Sequence, residues 1–171
     1  MNTDYYVDNN GRIQVCVDQL DTSVSVGGYH RIHLALSNLT DLTGQSTVFV
    51  NKLKFSMNTI SPSGGSTDYF VGHILAGIIP LDMAGSNFDT LVDYKNVKGW
   101  PIPMSKQYII NSSGHPGASD VPFVGRLSQT YTPKSTLLIN REQAIQLSFK
   151  NDYGDNQQVN LSIQASLARG E

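Results

Sequence analysis

Apolar and polar residues alternate along two runs near the end of this 171-residue chain, at positions 145–149 and 159–167. Successive side chains of a β-strand point to opposite faces, so each run predicts a strand with one apolar and one polar face. The segment between them, residues 151–156, is rich in Asn, Asp and Gly, which favour turns. The pattern therefore predicts an antiparallel hairpin with one face on a core and the other in water.

A hairpin alone cannot bury its apolar face, so the rest of the chain must supply an opposing sheet. Further strands are predicted at residues 13–17 with a continuation to Val26, and at 30–36, 47–60, 69–79, 104–110, 123–127 and 136–139. Residues 69–79 are apolar almost throughout, which is typical of a central strand covered on both sides. Between Val50 and Leu53 the apolar positions shift parity, which predicts a β-bulge or a strand that leaves one sheet for another.

One short helix is predicted at residues 87–95, where Phe88, Leu91 and Val92 follow helical spacing. Uneven strands, long loops and few tight turns together favour an all-β fold, a two-sheet Greek-key antiparallel sandwich of the jelly-roll type. We expect residues 1–12 to form a polar N-terminal extension and residues 13–171 to form a single domain.

The composition is weakly charged. Charged residues make up 15% of the chain, against roughly 25% in an average globular protein, and the net charge is −2. Such a surface suits a protein that is covered by copies of itself, although strands rich in Ser and Thr explain the same composition. Without a run of Lys or Arg, strong direct binding to nucleic acid is not expected.

Nothing in the sequence predicts catalysis, a metal or a cofactor. Cys16 is the single cysteine and is expected to be an inert, buried thiol. His30 and His33 are three residues apart, which places them on opposite faces of a strand and disfavours a metal clamp. No nucleophile elbow, zinc-protease or nucleotide-binding motif is present, so we expect a protein that is not an enzyme.

Targeting signals are also missing from the printed sequence. The first residues lack the basic and apolar regions of a signal peptide, and the longest apolar run, residues 74–81, is shorter than the ~20 residues of a membrane span. We therefore expect synthesis in a cytoplasm.

The chain resembles the single jelly-roll capsid proteins of small icosahedral viruses. The resemblance is carried by its length, by the predicted helix at residues 87–95 between strands, and by the closing segment from Tyr131-Thr132-Pro133 to Ala168. It implies a structural virion protein that is made in the host cytoplasm and self-assembles into a shell, with copies of itself and other virion proteins as partners. Many such proteins begin with an Arg-rich arm, whereas residues 1–12 hold only Arg12. The resemblance therefore points to viruses of bacteria or archaea whose shell covers an internal membrane or a separately condensed genome.

Two sets of candidate binding residues follow. A shell protein is expected to make its contacts through loops and polar strand faces, with Asn38, Asn111, Ser112 and His115 as loop candidates. The alternative is a carbohydrate-binding or receptor-binding sandwich, in which Trp100, Tyr94 and Tyr108 could stack on sugars. Trp100 could equally close the end of the core. Possible glycosylation sequons occur at Asn38, Asn111 and Asn160.

Overall fold

A computed structural model describes residues 2–39, 44, 47–61, 70–86, 91, 104–109, 123–151 and 156–169; at 59–61, 70–73, 104–109 and 123–127 it describes the backbone. This part of the chain forms ten β-strands and two 3-10 turns, at Leu36–Asn38 and Leu81–Met83. The strands are β1 (Asn2–Val7), β2 (Ile13–Val24), β3 (Tyr29–Ala35), β4 (Thr47–Ser61), β5 (Phe70–Pro80), β6 (Met104–Ile109), β7 (Phe123–Tyr131), β8 (Leu138–Asn140), β9 (Gln143–Asn151) and β10 (Gln157–Arg169).

The strands form two antiparallel sheets. One has the order β1-β2-β10-β4-β7, with β8 also paired to β4, and the other has the order β3-β9-β5-β6. Most consecutive strands lie in different sheets, so the chain repeatedly crosses from one layer to the other. Two packed antiparallel sheets with this winding form a sandwich of the jelly-roll type, and the predicted fold class is confirmed.

The core lies between the two sheets and is built from the alternating apolar positions. β2, β4 and β10 contribute side chains from the six-stranded sheet, while β3, β5 and β9 contribute from the four-stranded sheet. The five apolar residues of β10 from Val159 to Leu167 are at most 4% exposed. The period-two pattern therefore identified the buried face of this strand correctly.

The parity shift in β4 is a β-bulge, as predicted. Ser166 of β10 lies opposite Lys52, and its neighbour Leu167 lies opposite Val50, so Asn51 is the extra residue. Because the bulge absorbs one residue, Val50 and Leu53 both point into the core, where they are 4% and 0% exposed.

The predicted hairpin between residues 145–149 and 159–167 is wrong. β9 pairs with β3 and β5, whereas β10 pairs with β2 and β4 in the opposite sheet. The two strands face each other across the core instead of lying side by side. Alternation specifies which face of a strand is buried, but it does not specify the neighbouring strand, and the turn-forming residues fit a sheet-to-sheet crossing as well as a hairpin.

The two sheets differ in what covers their outer faces. On the four-stranded sheet, Leu75, Ile79 and Ala144 are buried beneath the segment 81–86 and Leu91. Gln146 and Ser148 of β9, which the alternation predicted to be wet, are 0% and 2% exposed. Gln146 donates a hydrogen bond to the Ser148 hydroxyl at 3.0 Å and accepts one from the Gly85 backbone at 3.4 Å. These bonds offset the cost of burying polar groups.

The other predicted strands each overlap a strand of the structure, whereas residues 2–7 of the predicted N-terminal extension form β1, where no strand was predicted. β5 lies between β9 and β6 and is buried on both faces from Ile74 to Ile79, as expected of a central strand. Leu91 is helical and buried, and the remainder of the helix predicted at 87–95 lies outside the described residues. No described helix is long and apolar enough to cross a membrane.

We expect truncation of the inward side chains of β10 to be costly. Leu161→Ala or Ile163→Ala removes a fully buried side chain from the core, so the free energy of unfolding should fall by about 2–5 kcal/mol. Gln164→Ala, on the exposed face of the same strand, should change it by less than about 0.5 kcal/mol. Urea denaturation of the three variants measures the difference, and equal losses would contradict this account of β10.

Candidate interface at the edges of the six-stranded sheet

The outer face of the six-stranded sheet is open and polar. Side chains of neighbouring strands bond to one another across it. Gln14 donates to the Ser166 hydroxyl at 3.1 Å, and the Cys16 thiol lies 3.7 Å from the Ser162 hydroxyl. Cys16 is therefore half-buried on this face and not enclosed in the core, contrary to the prediction of a buried thiol. The face is built mainly of small polar groups that bond across neighbouring strands.

Charges on this face are few and of both signs. Lys52 and Lys54 project from β4, which lies inside the sheet between β10 and the pair β7 and β8. Together with Asp4, they border a shallow groove of about 520 Å³ whose other lining residues come from β1, β2 and β10. Opposite charges on one face keep its net charge small.

One end of the face is fixed by an asparagine pair. The Asn160 amide donates to the Asn58 side-chain oxygen, and its own oxygen accepts the Asp21 backbone N–H at 2.6 Å. Asp21 has a φ of 54°, in the left-handed region that Asp tolerates better than most residues. These bonds hold an irregularity in the pairing of β2 with β10 and engage the side chain of the Asn160 sequon.

Exposed apolar side chains lie at the edges of this sheet. Among the described residues, the large hydrophobic side chains that are exposed are Tyr6 (64%), Val7 (45%), Leu20 (62%), Val26 (57%), Tyr131 (36%) and Leu138 (44%). The first four belong to β1, to the end of β2 and to the turn that follows it, and the last two belong to β7 and β8 at the opposite edge. The polar outer face of this sheet is thus bordered by exposed apolar side chains, and Leu20 lines a groove on that face with Lys54 and Ser162.

The β1 edge is held in place by a tight turn. One carboxylate oxygen of Asp8 accepts the backbone N–H groups of Asn10 and Arg12 at 2.8 and 3.0 Å, and the other accepts the Gln14 amide at 3.0 Å. The Gln14 bond is the main cause that lowers the pKa of Asp8, with the two backbone bonds adding to it. Gly11 has a φ of 75°, which completes the reversal of the chain. The exposed side chains of Tyr6 and Val7 are therefore presented by an ordered strand.

Leu20 lies where β2 extends beyond β1, beside a groove on the outer face of the sheet, and Val26 lies in the turn after β2. β1 pairs only with residues 13–18 of β2, so the remainder of β2 lies at the sheet edge in the described part of the chain. The following turn is pinned by Asn151, whose side chain donates to the carbonyls of Val24 and Ser25 at 3.0 and 3.2 Å. Gly28 fits this turn because a Cβ there would lie 2.9 Å from the Ser25 carbonyl oxygen.

Most of the loop and aromatic candidates from the sequence lie outside the described residues. Asn38 is exposed at the end of the 3-10 turn Leu36–Asn38. Tyr108 lies on β6 opposite Gly72, within the strand predicted at 104–110. The positions Asn111, Ser112, His115, Trp100 and Tyr94 lie outside the described residues.

No direct sequence signal marks the edge residues. Leu20, Tyr6 and Val26 continue ordinary strand or turn patterns, and their exposure depends on where neighbouring strands end. Part of the exposure comes from a difference in length between β1 and β2, which leaves the end of β2 without a partner on that side. Such a difference emerges only once pairing is known.

The two histidines of β3 lie on opposite faces, as predicted. His30 is paired with Phe149, and His33 is paired with Gln146. Burial is the main cause that lowers the pKa of each imidazole below its ordinary value, and the charge of Arg31 adds to the effect. His30 Nε2 is buried and has no hydrogen-bond partner among the described residues. The described part of the chain contains no group of His, Cys, Asp and Glu side chains that could hold a metal ion.

No family model matches this chain, and no curated protein sequence matches it. Solved structures that resemble it include that of Tomato Aspermy Virus, with a TM-score of 0.47 and 10% identity over 92% of this chain and 78% of that one. The decameric BFDV capsid protein gives a TM-score of 0.44 and 8% identity over 99% and 100% of the two chains. Dimeric latent PorU from Porphyromonas gingivalis gives 0.47 and 12% over 97% of this chain, which spans 13% of PorU.

The histidines predict a pH-dependent stability. Their pKa values are lower in the folded chain, so the unfolded chain binds protons more readily and the free energy of unfolding should rise with pH. This contribution should be complete above about pH 6.5, the ordinary histidine value, and should be lost as the pH falls through the lower folded values.

His30→Gln should flatten the pH dependence of unfolding between about pH 7 and pH 5, because it removes one of the titrating groups. Arg31→Gln should also flatten it, because the Arg31 charge helps to lower both pKa values. Denaturation series at several pH values measure the slopes. Slopes identical to that of the wild-type chain in both variants would contradict this assignment.

Proposed function

We propose that this chain is a capsid subunit, a structural virion protein that assembles through its edges and loops into an icosahedral shell. The observation that carries the proposal is the distribution of side chains on the jelly roll. One sheet has an outer face covered by its own chain, and the other has a polar outer face bordered by apolar edges. Such a subunit is suited to lateral contact with neighbours.

Lateral contact explains features that a monomer does not require. Single exposed apolar residues are common on any protein surface. Here five of the six large ones lie on or beside the edge strands of one sheet, and Leu20 borders a groove on its outer face with Lys54, Ser56 and Ser162. The rest of that face carries mainly Gln, Ser and Asn. Burial of apolar area drives association, so the edges should become buried and the face should remain in contact with solvent. The polar face then forms one surface of the shell.

The partners in this proposal are copies of the same chain, together with other virion proteins. A shell needs several modest contacts per subunit, since each contact is repeated throughout the closed assembly. We expect each subunit to bury more than ~1,000 Å² against its neighbours. The loop residues Asn38, Asn111, Ser112 and His115 are included as contacts. The proposed setting is a virus of bacteria or archaea whose shell lies over a membrane or a condensed genome.

The first test is the size of the purified protein. We expect capsomers or larger particles in light scattering coupled to size exclusion, and shells in negative-stain electron microscopy. The double variant Leu20→Lys/Val26→Lys places charges on the β2 edge and should shift the protein towards monomers, because buried unpaired charges oppose association.

A matched control is Gln158→Lys/Gln164→Lys, which adds the same charge to exposed positions on the polar face of β10. Both double variants should retain nearly the same free energy of unfolding. If the wild-type protein is monomeric at high concentration and shifts on addition of an oligosaccharide, the capsid proposal fails and a carbohydrate-binding module replaces it.

A second prediction concerns nucleic acid. Lys52 and Lys54 are the basic side chains that the described residues of β4 place on the polar face, opposite Ser166 and Gln164 of β10. Few phosphate contacts are available there, so we expect DNA or RNA binding weaker than about 10⁻⁶ M at moderate salt. Fluorescence anisotropy over a salt series measures the affinity. Sub-micromolar binding that Lys52→Gln/Lys54→Gln abolishes would contradict this expectation.

A further inference from the structure

Within the described part of the chain, β1 is an edge strand that lacks the usual protection against pairing. Natural edge strands carry Lys, Pro, a bulge or a covering segment that prevents contact with other strands. β1 has the sequence Asn-Thr-Asp-Tyr-Tyr-Val and pairs with β2 in continuous register from Asn2 to Val7. In contrast, the edge strand β3 of the other sheet carries the exposed Arg31. The unprotected β1 edge is therefore suited to a partner strand.

The turn after β1 shows which residues direct their backbone groups outwards. The Asp8 N–H donates to the Arg12 carbonyl at 2.8 Å, so residues 8 and 12 form a hydrogen-bonded pair. Hydrogen-bonded pairs alternate with non-bonded pairs along an antiparallel ladder. Counting back from residue 8, Asp4 and Tyr6 direct their backbone groups to β2. The odd positions, Thr3 and Val7 among them, direct theirs to the outer edge.

We propose that β1 pairs antiparallel with β1 of a second copy of this chain, across a two-fold axis centred on Tyr5. The proposal rests on the assembly proposed above and defines one of its contacts. Residue 5 then lies opposite residue 5 of the other copy, Thr3 lies opposite Val7, and Asp4 lies opposite Tyr6. Because the odd positions point outwards, this register forms about six backbone hydrogen bonds between the copies.

Charge and shape favour this register over its neighbours. An axis centred on Asp4 would place two carboxylates opposite each other, which is destabilising. An axis centred on Tyr5 places each carboxylate beside the Tyr6 ring of the other copy, and Tyr6 is 64% exposed. Val7, which is 45% exposed, is covered by Thr3 of the other copy. The Tyr5 side chain already packs against the core, so each copy retains its own packing.

The occupant is a second copy because the strand complements itself. Asp4 is the single charged residue of β1, so the strand offers no charge pattern that would select an acidic or a basic partner. A two-fold axis also continues the open polar face from one copy into the next, since opposed residues of an antiparallel pair project to the same side. The two six-stranded sheets then form one extended sheet across the contact.

Cysteine cross-linking tests the register. In a Cys16→Ser background, Asp4→Cys and Tyr6→Cys are made as two separate proteins. Positions 4 and 6 of facing copies form a non-bonded pair with a Cα separation of about 4.5 Å, which a disulfide spans. The two copies of residue 4 are diagonal neighbours with Cα atoms about 7–8 Å apart, which is too far for a disulfide.

We expect a disulfide-linked dimer on a non-reducing gel when the two proteins are mixed and oxidised, and little when either is oxidised alone. Dimers from Asp4→Cys alone would show an axis centred on residue 4, and dimers from Tyr6→Cys alone would show an axis centred on residue 6. Either result, or no dimer in the mixture, overturns the proposal.

A backbone variant tests the contact independently of cysteine chemistry. Thr3→Pro removes an N–H group that points to the outer edge, while the bonds to β2 remain. Thr3→Val retains the N–H group and serves as the matched control. Thr3→Pro should weaken association by roughly tenfold or more, because one bond per copy is lost. The free energy of unfolding should be the same for both variants, and equal association would overturn the proposal.

The two proposals fail in different ways. If the wild-type protein forms shells but the mixture gives no cross-link, the capsid function stands and the β1 contact is wrong. If the mixture cross-links but the protein stops at a dimer at every concentration, the β1 contact stands and the shell is wrong. If the protein is monomeric and no cross-link forms, both are wrong.

Discussion

Two apolar sheet faces that can be buried only against each other determine this structure. β10 contributes apolar side chains from Val159 to Leu167, and β9 contributes Ile145, Leu147 and Phe149 from the opposite sheet. If these two strands paired as a hairpin, their apolar side chains would lie on one face of the pair, and that face would have to be buried by other strands. Placing the strands in different sheets lets each apolar face cover the other, because sheets pack about 10 Å apart with interleaved side chains. The crossing connections of the jelly roll follow from this requirement.

The sequence predicted strands, buried faces and the bulge at Asn51, because each depends on side chains within one strand. The sequence-based predictions failed where the environment of a residue depends on a second element of the structure. The outer side chains Gln146 and Ser148 are polar, yet the segment 81–86 and Leu91 bury that face, so alternation was a poor guide to solvent there. β5 was predicted correctly because its apolar residues lie on both faces. The burial of a polar side chain beneath a second segment of the chain leaves no comparable pattern in the sequence.

The candidate interface illustrates the same limit. Leu20 lies beyond the end of β1, at the irregularity in the pairing of β2 with β10, and Val26 follows a turn that Asn151 holds against the end of β9. Neither residue differs in type from the buried Val24 beside them. Their role depends on strand length and register, which arise from pairing between distant segments. The loop positions Asn111, Ser112 and His115 were singled out by composition and lie outside the described residues.

Two different edges on one sheet have consequences for the kind of assembly that can form. A contact of β1 with itself is isologous, so it closes on a pair and can grow no further. The opposite edge of the described sheet exposes Tyr131 and Leu138, and in the proposed assembly it would make a second, heterologous contact. A subunit with both kinds of contact would form two-fold pairs through one edge and rings through the other. Closed shells require both two-fold axes and the rotation axes of such rings. A subunit with only the first would remain a dimer, and one with only the second would form rings or filaments. The polar face between the edges opposes stacking of the sheets, which keeps such growth within a single layer.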